Sequence, residues 1–594
     1  MAALFTTPKR NDKTSGAHFV EPDVRRRTLL AHGSWRRVTR RIVVGAVCAL
    51  TVSSLLMPSV SLAAEWVNVG GAQYNYGTAA GDAAGTWSWD GADDMKLNGY
   101  DGGAIKAAGK LNIAYEGKNT VKTEPDYTGA AIKAQDGTNQ KAELNITSSN
   151  STDELNVTAE ADAIKSTGDL SISGPGTVNT TSTNADGIEA KGNLSITGSG
   201  TVNATGGTEG IQSKGKTTID SSGTVIAKGG EGYGIAAGSD LIIKGCGKVE
   251  ASSIEEAAIW AKDGINISGG SQVKASSEEN YAVKAKGSLT VTNASLNAHG
   301  VGYGVYAYKG ITLDHATVTV HAAAERDDVS ALFTGKDDIV IKNGSIVNAF
   351  AEGEFSTAIS TRNYNPNEAG GHIYISDSVV KAIARYAETG GDGPDCYSGD
   401  QDGEITPERR GVNIGIYAQT TEGIMPATIS IVRSKVTAEG DTAAIFALAM
   451  SADGKAIGTI EIEGSTILTP EGGKVIDYRN KEELSNDDIY EAGQTIGTGD
   501  AVIDSPYNEA VAKSTVIAPP EEIKPEEKPG ETKPEGSKSE GTKTTKTVAV
   551  AATGAKIAGK LAATGDASSA AIVAAALAGT AAIAAGAVVS RKRS

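Results

Sequence analysis

The stretch Gly187-Ile188-Glu189-Ala190-Lys191-Gly192-Asn193-Leu194-Ser195-Ile196-Thr197-Gly198-Ser199-Gly200-Thr201-Val202-Asn203-Ala204 holds three short alternating segments, Ile-x-Ala, Leu-x-Ile and Val-x-Ala, divided by glycine, asparagine and serine. Alternation with period two marks strands that bury one face. None of the segments is long enough to bury a core alone. The frame returns at Gly210-Ile211, Gly234-Ile235, Ala258-Ile259, Ala282-Val283 and Gly304-Val305, at intervals of 22 to 24 residues. Weaker copies run back to Ile164, Ile132 and Ile105 and forward to Leu332, Ile359, Ile416 and Ile445, about thirteen in all.

Three strands per period of this length predict a β-solenoid, in which equivalent inward side chains stack from one coil to the next. Isoleucine and valine form one stacked column. Two positions later comes a column of small residues, among them Ala107, Ala134, Ser166, Ala190, Ser213, Ala237, Ala261, Ala285 and Ala307. Small side chains there let a turn pass close to the core. Leucine-rich repeats share the period, but their asparagine-leucine pattern and helical segment are missing. Two-residue alternation excludes a helical repeat. The pattern resembles the right-handed parallel β-helix of pectate-lyase-like proteins; the resemblance, not the period, implies the handedness. The expected fold is therefore all-β, with three-strand coils over residues 101–471.

Composition sorts the flanks. Residues 65–100, with Trp66, Trp87 and Trp89, are expected to cap one end of the solenoid, and residues 472–515 the other, since uncapped terminal strands expose pairing edges. Residues 516–560 are rich in Pro, Glu, Lys and Thr with few large apolar side chains, which predicts an extended, disordered stalk.

Both termini carry export and anchoring patterns. Arg36, Arg37, Arg40 and Arg41 precede an apolar stretch from Ile42 to Leu56, and Ser61-Leu62-Ala63 supplies the small residues of a signal-peptidase site. Residues 1–63 read as a signal peptide, with cleavage between Ala63 and Ala64 or one residue later. At the other end, Ala567 to Ser590 is uncharged and, at helical rise, reaches about 36 Å, enough to span a bilayer as a helix. Arg591, Lys592 and Arg593 follow it and favour the cytoplasmic side. Just before it stands Leu561-Ala562-Ala563-Thr564-Gly565.

Pentapeptide, apolar span and basic tail, over residues 561–594, together resemble the cell-wall sorting signal of Gram-positive surface proteins. The second position is Ala562 rather than the commoner proline, so the motif is similar to the Leu-Ala-x-Thr-Gly variant. The resemblance implies that a sortase cysteine attacks the carbonyl carbon of Thr564, releases the chain from Gly565 onward and passes the acyl group to a peptidoglycan amine. On that reading the chain is the substrate of an enzyme, with sortase and peptidoglycan as partners.

Without residues 1–63 and 565–594 the chain holds 42 basic and 68 acidic side chains, a net charge of −26. Such a surface repels nucleic acid and anionic membranes. Cys246 and Cys396 remain, too few for a disulfide framework, and free thiols are expected.

The residue after the Ile/Val column points outward and reads Lys106, Lys133, Lys165, Glu189, Gln212, Ala236, Trp260, Lys284, Tyr306, Phe333, Ser360, Tyr417, Phe446. Its second half is aromatic, and coils lie about 4.8 Å apart, a spacing comparable to a sugar repeat. Flat rings suit carbohydrate faces, so Trp260, Tyr306, Phe333, Tyr417 and Phe446 are candidate glycan contacts, with Tyr233, Tyr281, Tyr303 and Tyr308 on the same side. Cover by the insertions flanking Ile359 and Ile416 is the competing account of those rings. Asp392, Asp395, Asp400 and Asp402, in a glycine-rich insertion, are candidate Ca²⁺ ligands, although they match an EF-hand loop poorly and also read as a solvated acidic loop. Three functions follow as alternatives: a surface adhesin or carbohydrate-binding module, a Ca²⁺-dependent polysaccharide lyase using Arg409 or Arg410 as base, and a passive shielding rod. The histidines show no metal or triad spacing, and no cofactor beyond calcium is expected.

Overall fold

A computed structural model of the chain describes residues 63–520, apart from residues 126, 139–140, 325–327, 364–370, 388–411, 421–425, 452–455, 485–486 and 500–501. The described residues are all strand, turn and loop, without a helix. They form a parallel β-helix whose three long sheets each take one strand from every coil.

Sheet 1 stacks the isoleucine column. Ile105, Ile132, Ile164, Ile188, Ile211, Ile235, Ile259, Val283, Val305, Leu332, Ile359, Ile416 and Ile445 pair in parallel, each in register with the next. All thirteen are fully buried. Sheet 2 follows with Leu111, Leu144, Leu170 and Leu194 in the same relation, and sheet 3 with Val178, Val202, Val225 and Val249. Where two inward positions of one coil turn polar they satisfy each other: the Ser213 and Thr217 hydroxyls lie 2.7 Å apart in the core. A buried hydroxyl left alone would cost about 1–3 kcal/mol.

The turns are equally repetitive. Between sheets 2 and 3 the chain takes a left-handed conformation at Gly174 and Gly198 (φ +107° and +100°), and in later coils at Asn293, Asn343 and Asp377 (φ +48°, +58° and +48°). Asparagine and aspartate tolerate that region better than other side-chain-bearing residues. At Gly200 and Gly223 a Cβ would overlap a carbonyl oxygen of the preceding coil, that of Gly176 and of Gly200. On the outer face of sheet 3 the Asn179 amide donates to the Asn156 Oδ1 at 2.9 Å and Asn203 to Asn179 at 2.8 Å. The ladder stops there, because the next residue in the column is Ile226, and the buried Asn203 Oδ1 has no donor.

Antiparallel strands close both ends. Trp66–Val69 pairs with Ile105–Ala108 on one side and Ala72–Asn75 on the other, while Trp87 and Trp89 bury their rings at the end of sheet 2. At the far end the hairpin of Lys474–Leu484 and Asp487–Gly497 joins sheet 1 through Ala443–Ser451. Ser514–Ala518 joins sheet 3 between Lys435–Gly440 and Thr466–Thr469.

His299 and His321 occupy adjacent coils of sheet 3, with their Nδ1 atoms 2.8 Å apart and the His321 ring stacked on Phe350. One imidazole donates its N–H to the lone pair of the other, which requires both to be neutral or one to be charged. Burial lowers both pKa values, that of His321 to about 4 with help from His299. A depressed imidazole pKa means that stability is intact above the unfolded value near 6.5 and falls as the pH drops toward 4. Replacing both residues by glutamine is expected to flatten the melting-temperature profile between pH 7 and pH 4; parallel profiles for variant and wild type would refute the coupling.

Candidate ligand-binding face

The outward column of sheet 1 is continuous, since each residue from Lys106 to Phe446 is the register partner of the next. A second column on this face lies three residues earlier in each coil and reads Asp162, Asp186, Glu209, Tyr233, Ala257, Tyr281 and Tyr303. Side by side, the two columns divide the face into three zones.

The first zone is ionic. The Lys165 ammonium is 2.6 Å from Asp162 and also contacts Glu189 in the next coil. Asp186 adjoins both carboxylates, and all three acidic residues are buried. Burial, together with a hydrogen bond and charge from Glu209, pushes the Asp186 carboxyl up to about 7, although the Thr208 hydroxyl donates to it. The carboxylates could offer oxygens to a metal, but the Lys165 ammonium already supplies the positive charge among them. Asp90, Asp93 and Asp94, a second acidic group, lie in a cap turn where Asp90 accepts the Ala92 and Asp94 amides.

The second zone is aromatic and half-exposed. Tyr233 stacks on Trp260 with ring centroids 5.3 Å apart and planes 19° apart. Tyr281 stacks on Tyr306 at 5.8 Å, and Tyr303 meets Tyr281 edge-on at 5.0 Å. Lys284 stands between Trp260 and Tyr306 in register, its ammonium 4.5 Å over the Tyr281 ring. Burial pushes the Lys284 amine below its usual range and the Tyr233 phenol up to about 12. Tyr308, at the adjoining corner, is 45% exposed.

The third zone is covered, which corrects three of the sequence candidates. Phe333 is buried under Tyr303 and Tyr306 with the Arg362 guanidinium 6.0 Å away. Tyr417 and Phe446 are 1% and 3% exposed, packed with Leu448, Ile476, Tyr478 and Ile503 in a second hydrophobic cluster. The cause is the C-terminal hairpin and the segment after it, where Ile503 bridges to Tyr478 and Val511 to Gly497. The strands beneath, Asn413–Thr420 and Ala443–Ser451, are buried at every residue and so carry cover on both faces. That was visible in the run Ala443-Ala-Ile-Phe-Ala-Leu-Ala-Met450, too continuously apolar for a strand with one wet side.

Trp260 and Tyr306 therefore come together with Tyr233, Tyr281 and Tyr303, whereas Phe333, Tyr417 and Phe446 serve as packing. The calcium candidates Asp392, Asp395, Asp400 and Asp402, the motif Leu561–Gly565 and the apolar span 567–590 lie outside the described residues. Among the described residues, no helix is long and apolar enough to cross a membrane. Ala64 is buried in the cap and Ala63 bridges to Lys110. Cys246 is exposed and free, with its thiol on the Gly269 carbonyl; Cys396 lies outside the described residues. Fold and face together define a parallel β-helix with an aromatic platform on one sheet. Compared with known proteins, the chain matches no family model, no curated sequence and no solved structure.

Proposed function

We propose that this protein is a cell-wall-displayed β-helical rod that binds glycans through the aromatic zone of sheet 1. The observation that carries the reading is the half-exposed group Tyr233, Trp260, Tyr281, Tyr303 and Tyr306, five rings within four coils. Half-exposed aromatic side chains repeated at about 4.8 Å per coil line a continuous apolar strip along which a linear oligosaccharide can lie. Display on the wall rests on the sequence: Leu561–Gly565 with its apolar span and basic tail for sortase transfer to peptidoglycan, and Ala63/Ala64 for signal cleavage. Because Ala64 is buried once the cap has formed, the peptidase would act on the chain during export, before folding. The residues of the lyase alternative, Asp392, Asp395, Asp400 and Asp402 with Arg409 or Arg410, lie outside the described residues, so the aromatic zone is the feature on which a reading can be built.

A glycan array probed with the chain from Ala64 to Thr564 tests the proposal. Selective retention of a few related glycans is expected; a blank array, with a β-rich circular dichroism spectrum confirming the fold, would leave the rod without this function.

A further inference from the structure

Among the described residues, Lys284 is a charged residue of the aromatic zone that forms no ion pair. In the ionic zone, Lys165 sits between two carboxylates. Elsewhere on the rod, lysines reach across coils to acidic partners, as Lys244 does to Asp220 at 2.9 Å and Lys342 to Asp314 at 3.4 Å. Lys284 is half-buried, and among the described residues it forms no ion pair; its ammonium lies on the face of Tyr281. A chain with so large an excess of carboxylates could readily supply a partner. Instead the register neighbours of Lys284 are two rings, Trp260 and Tyr306. Glu256 lies near enough to favour the charged amine without forming an ion pair with it.

Trp260 and Tyr306 are two coils apart, about 9.6 Å along the rod, with Lys284 on the strand between them and its ammonium over the neighbouring Tyr281 ring. A glycan stacked along this column would bring a substituent of the sugar between the two rings onto the Lys284 Nζ. A neutral hydroxyl there would accept a hydrogen bond, but an anion would form the charge-assisted and stronger one, and in a half-dry site the difference is large.

We infer that Lys284 is the specificity-determining residue of this face and selects glycans carrying a carboxylate, sulfate or phosphate on the sugar between Trp260 and Tyr306. The inference rests on the glycan-binding reading above and narrows its ligand class. It also reconciles an acidic protein with an anionic ligand: the contact is local, made by one desolvated ammonium, while the surrounding field lowers the association rate and penalises ligands charged along their whole length.

The test uses an array of matched pairs, sialylated with desialylated and sulfated with unsulfated glycans, probed with the chain from Ala64 to Thr564. Wild type, Lys284→Gln, Lys284→Arg and Trp260→Ala/Tyr306→Ala are compared. The expected result is binding confined to anionic members, weakened about 10- to 100-fold in Lys284→Gln and largely kept in Lys284→Arg. Preference for sialylated over sulfated members, or the reverse, identifies which anion is read. Two results would overturn the inference: binding of both members of each pair, or anionic binding that Lys284→Gln retains. If such binding is still lost in Trp260→Ala/Tyr306→Ala, glycan recognition stands and the charge selection alone fails. A blank array for every form removes both.

Discussion

A chain carrying Trp260→Ala and Tyr306→Ala is expected to lose glycan binding by about two orders of magnitude while still folding. The binding estimate follows from the platform itself. Each ring covered by a sugar contributes about 25 cal/mol per Å² of apolar area removed from water, roughly 1.2 kcal/mol for about 50 Å². Two such contacts together exceed 2 kcal/mol, and each 1.4 kcal/mol is tenfold in affinity. Folding survives because both rings stand on the outside of sheet 1, over the inward column of Ile259, Val283 and Val305 that the substitutions leave intact. Phe446→Ala should do the reverse. That ring is buried between Tyr417 and Tyr478, so its removal is expected to cost about 3–5 kcal/mol of stability and leave the affinity of the folded fraction unchanged. Isothermal titration with a glycan retained on the array, paired with thermal melts, reads both quantities. If Phe446→Ala weakens binding as much as the ring pair does, the division of this face into an open and a covered zone is mistaken.

Lys165→Met is expected to be the most damaging single change on the ionic zone, by about 3–5 kcal/mol near neutral pH, because it strands buried carboxylates without their countercharge. Its signature is the pH dependence. Asp186 already has a pKa raised to about 7 in the folded chain, above the value near 3.9 of an unfolded aspartate. A carboxyl raised in this way contributes stability that is complete below the unfolded pKa and is lost as the pH climbs through about 7. Without the ammonium, the negative charge of the buried carboxylates is uncompensated, a penalty that protonation removes, so the variant should approach wild type near pH 4 and fall furthest behind at pH 8. Denaturant melts across that range decide the matter. A penalty independent of pH would mean that the lysine stem, rather than its charge, supports the zone.

The coil was readable from the sequence because a solenoid repeats one local solution. Ile188, Leu194 and Val202 each recur at the same offset, so the strand, its inward face and its neighbours follow from alternation and period alone. The platform was half readable for the opposite reason. Whether Tyr306 or Tyr417 meets solvent depends on what lies above it, and residues such as Ile503 and Val511 return to Tyr417 from more than eighty positions away. No local pattern encodes that return, although the unbroken apolar strand at Ala443–Ser451 hinted at it. The ionic zone escaped notice because it draws on two columns at once: Lys165 and Glu189 belong to one, Asp162 and Asp186 to the other, and each column alone looks like a scatter of surface charge.

The exit of the chain from the rod has a mechanical consequence. Ser514–Ala518 is the last described strand, and it is zipped on both sides, to Val436–Glu439 and to Thr466–Thr469. If the chain is tethered through residues beyond this strand, as the proposed anchoring requires, a pull on it enters through this strand and loads two hydrogen-bond ladders together. Drag on a ligand held at the aromatic platform would, under that tethering, be resisted at the same place, where those two ladders join the last strand to the coils.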